Sequence, residues 1–101
     1  MEIRQMEYFI YVSEEKSFIK AAKRAFVSQQ ALSKAVQNLE KELGVSLFVR
    51  TNTGVQLTDY GETFLQKITP IIDSIDNISK DLCQQKEHVI KIGITEGLSK
   101  I

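Results

Sequence analysis

A chain of 101 residues, 43% hydrophobic and 26% charged, has room for one modest core, and that composition excludes a disordered polymer. No apolar run reaches the roughly eighteen residues of a membrane helix, and Met1-Glu2-Ile3-Arg4-Gln5-Met6 lacks the basic-then-apolar pattern of a secretory signal. The single Cys83 excludes an internal disulfide framework, and with the single His88 it falls short of a zinc site, which takes about three or four protein ligands. No metal, cofactor or membrane partner is therefore expected, and a reducing cytoplasm is the simplest location.

The 13 basic and 13 acidic residues cancel, but they are not mixed. Lys16, Lys20, Lys23, Arg24 and Lys34 lie in a stretch from 16 to 39 that holds no Asp or Glu, while acids crowd both flanks. Over a Debye length of ~8–10 Å the local field matters more than the net charge, so this zone can present a phosphate-binding face.

Residues 3–15 read as a first helix, with Ile3, Met6, Phe9 and Ile10 at three- and four-residue spacing. Ser17 is a candidate N-cap for a short second helix over 18–25, whose Ala21, Ala22 and Ala25 allow close approach of a neighbour. Phe26-Val27 breaks the pattern, and Ser28 caps a third helix over about 28–43. There Leu32, Ala35, Val36, Leu39 and Leu43 share one face; Gln29, Gln30, Ser33, Lys34, Gln37 and Lys41 share the other. Gly44 supplies the residue that ends it. Val45–Val49 and Val55–Leu57 are β-prone runs around Arg50-Thr51-Asn52-Thr53-Gly54, which predicts a small β-hairpin.

Thr58-Asp59 caps a fourth, longer helix over 58–88. Phe64, Ile68, Ile71, Ile75, Ile78 and Leu82 follow at spacings of four, three, four, three and four, a heptad seam that one small domain is not expected to cover alone. Pro70 sits inside this helix and is expected to bend it. Val89–Thr95 alternates like a strand but has no partner in the chain, so residues 89–101 read as the start of a further domain.

Two short helices joined by a tight turn, the second exposing amides, a hydroxyl and a lysine, form the arrangement that sets a recognition helix in the major groove of double-stranded DNA. Glutamine meets an adenine edge, lysine meets guanine or a phosphate, and serine meets either. The expected DNA-contacting set is Ser28, Gln29, Gln30, Ser33, Lys34 and Gln37 on the third helix, with Lys20, Lys23 and Arg50 as positioning contacts and Thr51 beside Arg50. Catalysis has no footing, since neither a nucleophile–base pair nor a glycine-rich phosphate loop occurs. A pure oligomerisation module would explain the seam but not the acid-free basic zone. Cys83, beside Leu82, reads as a small packing residue.

Phe18-Ile19-Lys20-Ala21-Ala22, then Val27-Ser28-Gln29-Gln30-Ala31-Leu32-Ser33-Lys34, then Leu39-Glu40-Lys41-Glu42-Leu43-Gly44-Val45-Ser46-Leu47-Phe48-Val49-Arg50 and Leu57-Thr58-Asp59-Tyr60-Gly61 together resemble the N-terminal domain of LysR-type transcriptional regulators. The resemblance covers nearly the whole chain. It implies a mainly α fold, with a winged helix-turn-helix over 1–57 followed by the linker helix. That helix would pair antiparallel in a homodimer through Phe64, Ile68, Ile71, Ile75, Ile78 and Leu82. It further implies a dimer or tetramer on an interrupted palindrome and a C-terminal domain that binds a small-molecule effector. The chain then reads either as a piece of a longer regulator or as a naturally short protein that pairs with one, and the unpaired strand favours the piece. Four positions depart from the family pattern. Gln30 replaces the usual proline and Lys34 a common arginine, with loss of the bidentate fork. Ile19 and Thr53 stand where phosphate-contacting residues are frequent, and no contact is assigned to either.

Overall fold

The computed structural model describes residues 1–92, with side chains described through residue 86. Helices α1 (Ile3–Glu15), α2 (Phe18–Ala25) and α3 (Gln29–Leu43) are followed by strands β1 (Phe48–Thr51) and β2 (Gly54–Leu57), then by α4 (Asp59–Ile92). The fold is mainly α, a winged helix-turn-helix carrying one long helix, and the whole measures 61 × 25 × 19 Å.

Local chemistry sets each boundary. Ser17 Oγ accepts from the Lys20 amide and Ser28 Oγ from the Ala31 amide, both at 3.1 Å, so each hydroxyl satisfies one of the unpaired donors that open a helix. Gly44 ends α3 in the left-handed region at φ 75°, its amide donating to Glu40 O at 2.8 Å. Thr58 fastens α4: its Oγ1 accepts from the Gly61 amide at 3.0 Å and donates to Ser46 O at 2.6 Å, while its own amide donates to Leu47 O at 3.0 Å.

The core consists of two adjoining clusters. Met6, Phe9, Leu39, Leu47, Ile68 and Ile72 form one; Val12, Ala21, Ala22, Leu32, Val36 and Val55 form the other. Phe48 packs against both. Its ring also continues a file of aromatics through the domain, with centroids 5.8 Å from Phe18 and 5.1 Å from Phe9, which lies 5.1 Å from Phe64.

The hairpin is antiparallel, pairing Phe48 with Leu57 and Thr51 with Gly54. It begins later than the β-prone run suggested. Val45-Ser46-Leu47 is a connecting segment, because burying Leu47 turns the chain inward there before pairing starts. Arg50 and Thr51, expected in the turn, belong to β1. Gly54 takes φ 142°, and a Cβ there would stand 2.7 Å from Lys16 O, so the wing closes onto the α1–α2 turn only through a glycine.

Two expectations for α4 are corrected. The helix continues through Ile92, past residue 88 and into the run expected as a strand; residues 93–95 of that run lie outside the described residues. A lone strand has no neighbour to pair its backbone, whereas a helix pairs its own. The seam is also divided. Ile68 is buried inside the chain's own core, and Phe64 and Ile75 pack against it, as do Leu65 and Ile72, which lie outside the heptad pattern. Ile71, Ile78 and Leu82 instead stand 51%, 58% and 60% exposed. The domain thus covers one side of the first turns of α4 and leaves the described apolar residues Ile78 and Leu82 bare. Pro70 lies within the continuous helix, and the Thr69 hydroxyl donates to Leu65 O at 2.6 Å beside it.

Candidate nucleic-acid interface

The α2–α3 turn is built from backbone bonds: the Phe26 amide donates to Lys23 O at 3.2 Å and the Val27 amide to Ala22 O at 3.1 Å. Buried Ala21 and Ala22 let α3 approach α2, and Leu32, Val36 and Leu39 turn inward. That leaves Gln29, Gln30, Lys34 and Gln37 exposed on α3. Ser33, expected among them, is half-buried at the edge of this face, and the Ser28 hydroxyl is engaged as the helix cap.

Beside this face lies a cleft of about 520 Å³ between the start of α2 and the wing. Lys20, Gln29, Arg50 and Thr51, far apart in sequence, all line it. The Arg50 guanidinium sits over the Phe18 ring, 5.1 Å from its centroid, a cation–π contact that holds the charge at the cleft. Among the described residues neither Arg50 nor Lys20 nor Lys34 has an ion-pair partner. Thr51 donates its hydroxyl to Gly54 O at 3.1 Å, so it shapes the turn as well as the rim. Lys23 is exposed in the last turn of α2, outside the cleft.

The basic zone is smaller than the sequence implied. Arg24 pairs with Glu14 at 2.6 Å and Glu15 at 3.3 Å, and its guanidinium lies 4.4 Å from the Tyr11 ring centroid. The hydrogen bond that Arg24 donates to Glu14 is the largest cause holding the Arg24 pKa above its ordinary value; desolvation opposes it, and the Glu14 charge and the Glu15 carboxylate add smaller contributions. The absence of acids between residues 16 and 39 concealed this pairing, because the partners come from α1.

Ile19 and Thr53, to which no contact was assigned, both line the cleft, and sequence reasoning missed Asn52 on its rim. It missed Phe26, which is 93% exposed and left-handed at φ 58°. Nothing in the periodicity flags Asn52 or Phe26, since each depends on how its turn is folded. Among the described residues no group of three or more His, Cys, Asp or Glu is arranged to hold a metal, and no helix is long and apolar enough to cross a membrane.

A short helix, a tight turn, an amphipathic second helix with a polar outer face and a flanking hairpin together define the winged helix-turn-helix class. Comparison with known proteins narrows the class. The profile of the family described as bacterial regulatory helix-turn-helix protein, lysR family, matches residues 3–62, and the chain belongs to that family. It is 37% identical over 100 residues to the HTH-type transcriptional regulator BudR of Klebsiella aerogenes, covering 96% of this chain and 70% of that one. It is also 37% identical over 101 residues to the regulator BenM of Acinetobacter baylyi, covering 97% of this chain and 33% of BenM. The chain thus spans about a third of BenM, and 30% of the regulator YcgK of Bacillus subtilis. Among solved structures, the complex of the BenM DNA-binding domain with catB site 1 DNA matches with a TM-score of 0.80 at 36% identity, over 85% of this chain and 97% of that one. The CbnR DNA-binding domain in complex with DNA matches with a TM-score of 0.74 at 38% identity, over 86% and 99%.

Proposed function

We propose that this chain is the DNA-reading and dimerising part of a cytoplasmic transcription regulator that binds an interrupted palindromic operator as a dimer, or as a tetramer in a full-length protein. The observation that carries it is the exposed polar face of α3 lying beside a cleft that gathers Lys20, Gln29, Arg50 and Thr51. Gln29, Gln30, Lys34 and Gln37 read base edges, with Ser28 and Ser33 at the edge of the same face; Lys20, Lys23, Arg50 and Thr51 meet phosphates. The DNA complexes solved for the similar BenM and CbnR domains support the same use of this fold here.

Homodimerisation uses the bare part of α4. Ile71, Ile75, Ile78 and Leu82 are spaced so that an antiparallel copy, related by a two-fold axis between residues 76 and 77, would set Ile71 opposite the second copy's Leu82 and Ile75 opposite its Ile78. Ile68 is buried in the core, and Phe64 and Ile75 pack against it, so in this reading Ile71, Ile78 and Leu82 offer the most exposed surface of the seam, with Ile75 at its border. Small-molecule control belongs to a C-terminal domain beyond these residues, as the greater length of the relatives supports.

A binding selection from random duplexes with the 101-residue chain tests the reading. Enrichment of two inverted half-sites at fixed separation is the expected outcome. No enrichment, with no gel retardation at low salt, would reject it.

A further inference from the structure

Glu40 is the first acid after the basic zone, one turn before the end of α3 and three residues beyond the exposed Gln37. It does not point away as a solvated charge. Its Oε2 accepts from the Leu47 amide at 2.7 Å and lies 3.4 Å from the Phe48 amide, and the bonds are part-buried. A carboxylate that accepts from backbone amides makes charge-assisted bonds, stronger than neutral ones. The two amides open the hairpin: Leu47 is fully buried, Phe48 begins β1, and Arg50 follows two residues later. The hairpin's other strand is tied separately, the Val55 amide donating to Lys16 O at 3.3 Å. Among the described residues, the Glu40 bonds are the side-chain hydrogen bonds that join the start of the wing to the helix carrying Lys34 and Gln37, beside the apolar packing of Phe48 and Val55 against Leu32, Val36 and Leu39.

We propose that Glu40 is a positioning residue for DNA binding, locking the recognition helix to the wing so that α3 and Arg50 engage one duplex in a single register. This rests on the DNA-reading proposal above. Glu40 touches no DNA itself; its negative charge is spent on the two amides. Losing it leaves the α3 face intact but frees the base of the wing, so the Arg50 contact is lost with it.

Salt titration of the full chain on a short mixed-sequence duplex separates this role from a purely structural one. Each phosphate contact contributes about 0.9 to the slope of log K against log salt. Glu40→Ala, checked as folded by circular dichroism, is expected to lose about 0.9 of slope per subunit. It should add little further loss in an Arg50→Ala background. Glu40→Gln keeps an oxygen for the Leu47 amide and should restore the wild-type slope. Should Glu40→Ala fail to fold, Glu40→Asp, a methylene too short for the same bonds, is read the same way. A wild-type slope in the Ala or Asp variant overturns the assignment. So does tighter binding by both Ala and Gln variants, the result of deleting a repulsive charge. A wild-type chain that shows no salt-dependent binding overturns the DNA reading, and this assignment with it.

Discussion

Phe26 holds a left-handed backbone with its ring 93% exposed, so the side chain contributes almost no burial to offset the conformational cost. That conformation costs an L-residue about 1–2 kcal/mol, and asparagine tolerates it best after glycine. Phe26→Asn should therefore raise stability by roughly 0.5–1 kcal/mol, read from the urea midpoint; an unchanged or lower midpoint would mean the ring is held by something else. Gly61 presents the opposite case. It is buried at the start of α4, where a Cβ would collide with the Leu47 carbonyl oxygen and crowd the Leu57 side chain. Gly61→Ala is expected to lower stability by about 1–3 kcal/mol, because backbone rather than a flexible side chain must give way. Equal melting of variant and parent would show that α4 shifts freely. Lys34, exposed and without an ion pair among the described residues, is the clearest candidate base reader. Lys34→Ala should weaken binding to the selected operator by about 1–3 kcal/mol and relax preference at one position. A uniform loss across sequences would make it a phosphate contact instead.

At the level of elements, the wing depends on the Glu40 bonds to the Leu47 and Phe48 amides and on three further attachments. Gly54 meets the α1–α2 turn, Phe48 enters both core clusters, and Thr58 joins the segment before β1 to the cap of α4. Arg50 therefore projects from the hairpin held over Phe18, so few rotamers would need to be frozen in the phosphate contact proposed for it. Arg50→Ala should lower the salt slope by about 0.9 per subunit while leaving the ranking of operator sequences unchanged; a changed ranking would assign Arg50 to base reading. The hairpin was legible from Val55-Gln56-Leu57 and the Asn-Thr-Gly turn. Its starting point was not, because Val45 and Leu47 are β-prone residues whose burial belongs to a loop. The starts of α2, α3 and α4 and the end of α3 were legible almost to the residue because Ser17, Ser28, Thr58 and Gly44 mark them through local hydrogen bonds, whereas the end of α4 was not.

Over the whole molecule, the apolar stripe of α4 is divided along its length into a part that packs in the core and a part that is exposed. Ile68 and Ile72 close the domain core, whereas Ile78 and Leu82 lie beyond its reach in a structure 61 Å long. A charge in each part should have a different consequence. Ile78→Asp is expected to give a monomer in sedimentation with unchanged helical circular dichroism, while Ile72→Asp should unfold the domain, since an unpaired buried charge is far more costly than an exposed one. A dimeric Ile78→Asp chain would remove α4 as the interface.

Periodicity and caps in the sequence determined the helices, the hairpin, the polar face of α3 and the family pattern, because each of these rests on residues a few positions apart. Tertiary structure decided which residues share a site. It drew Arg24 to Glu14 and out of the basic zone, brought Lys20 and Arg50 to one cleft, set Glu40 against the wing and divided the α4 stripe between core and solvent. The reason is that a stripe or a charge run fixes what a helix face offers. Only the packing of distant elements fixes what that face meets.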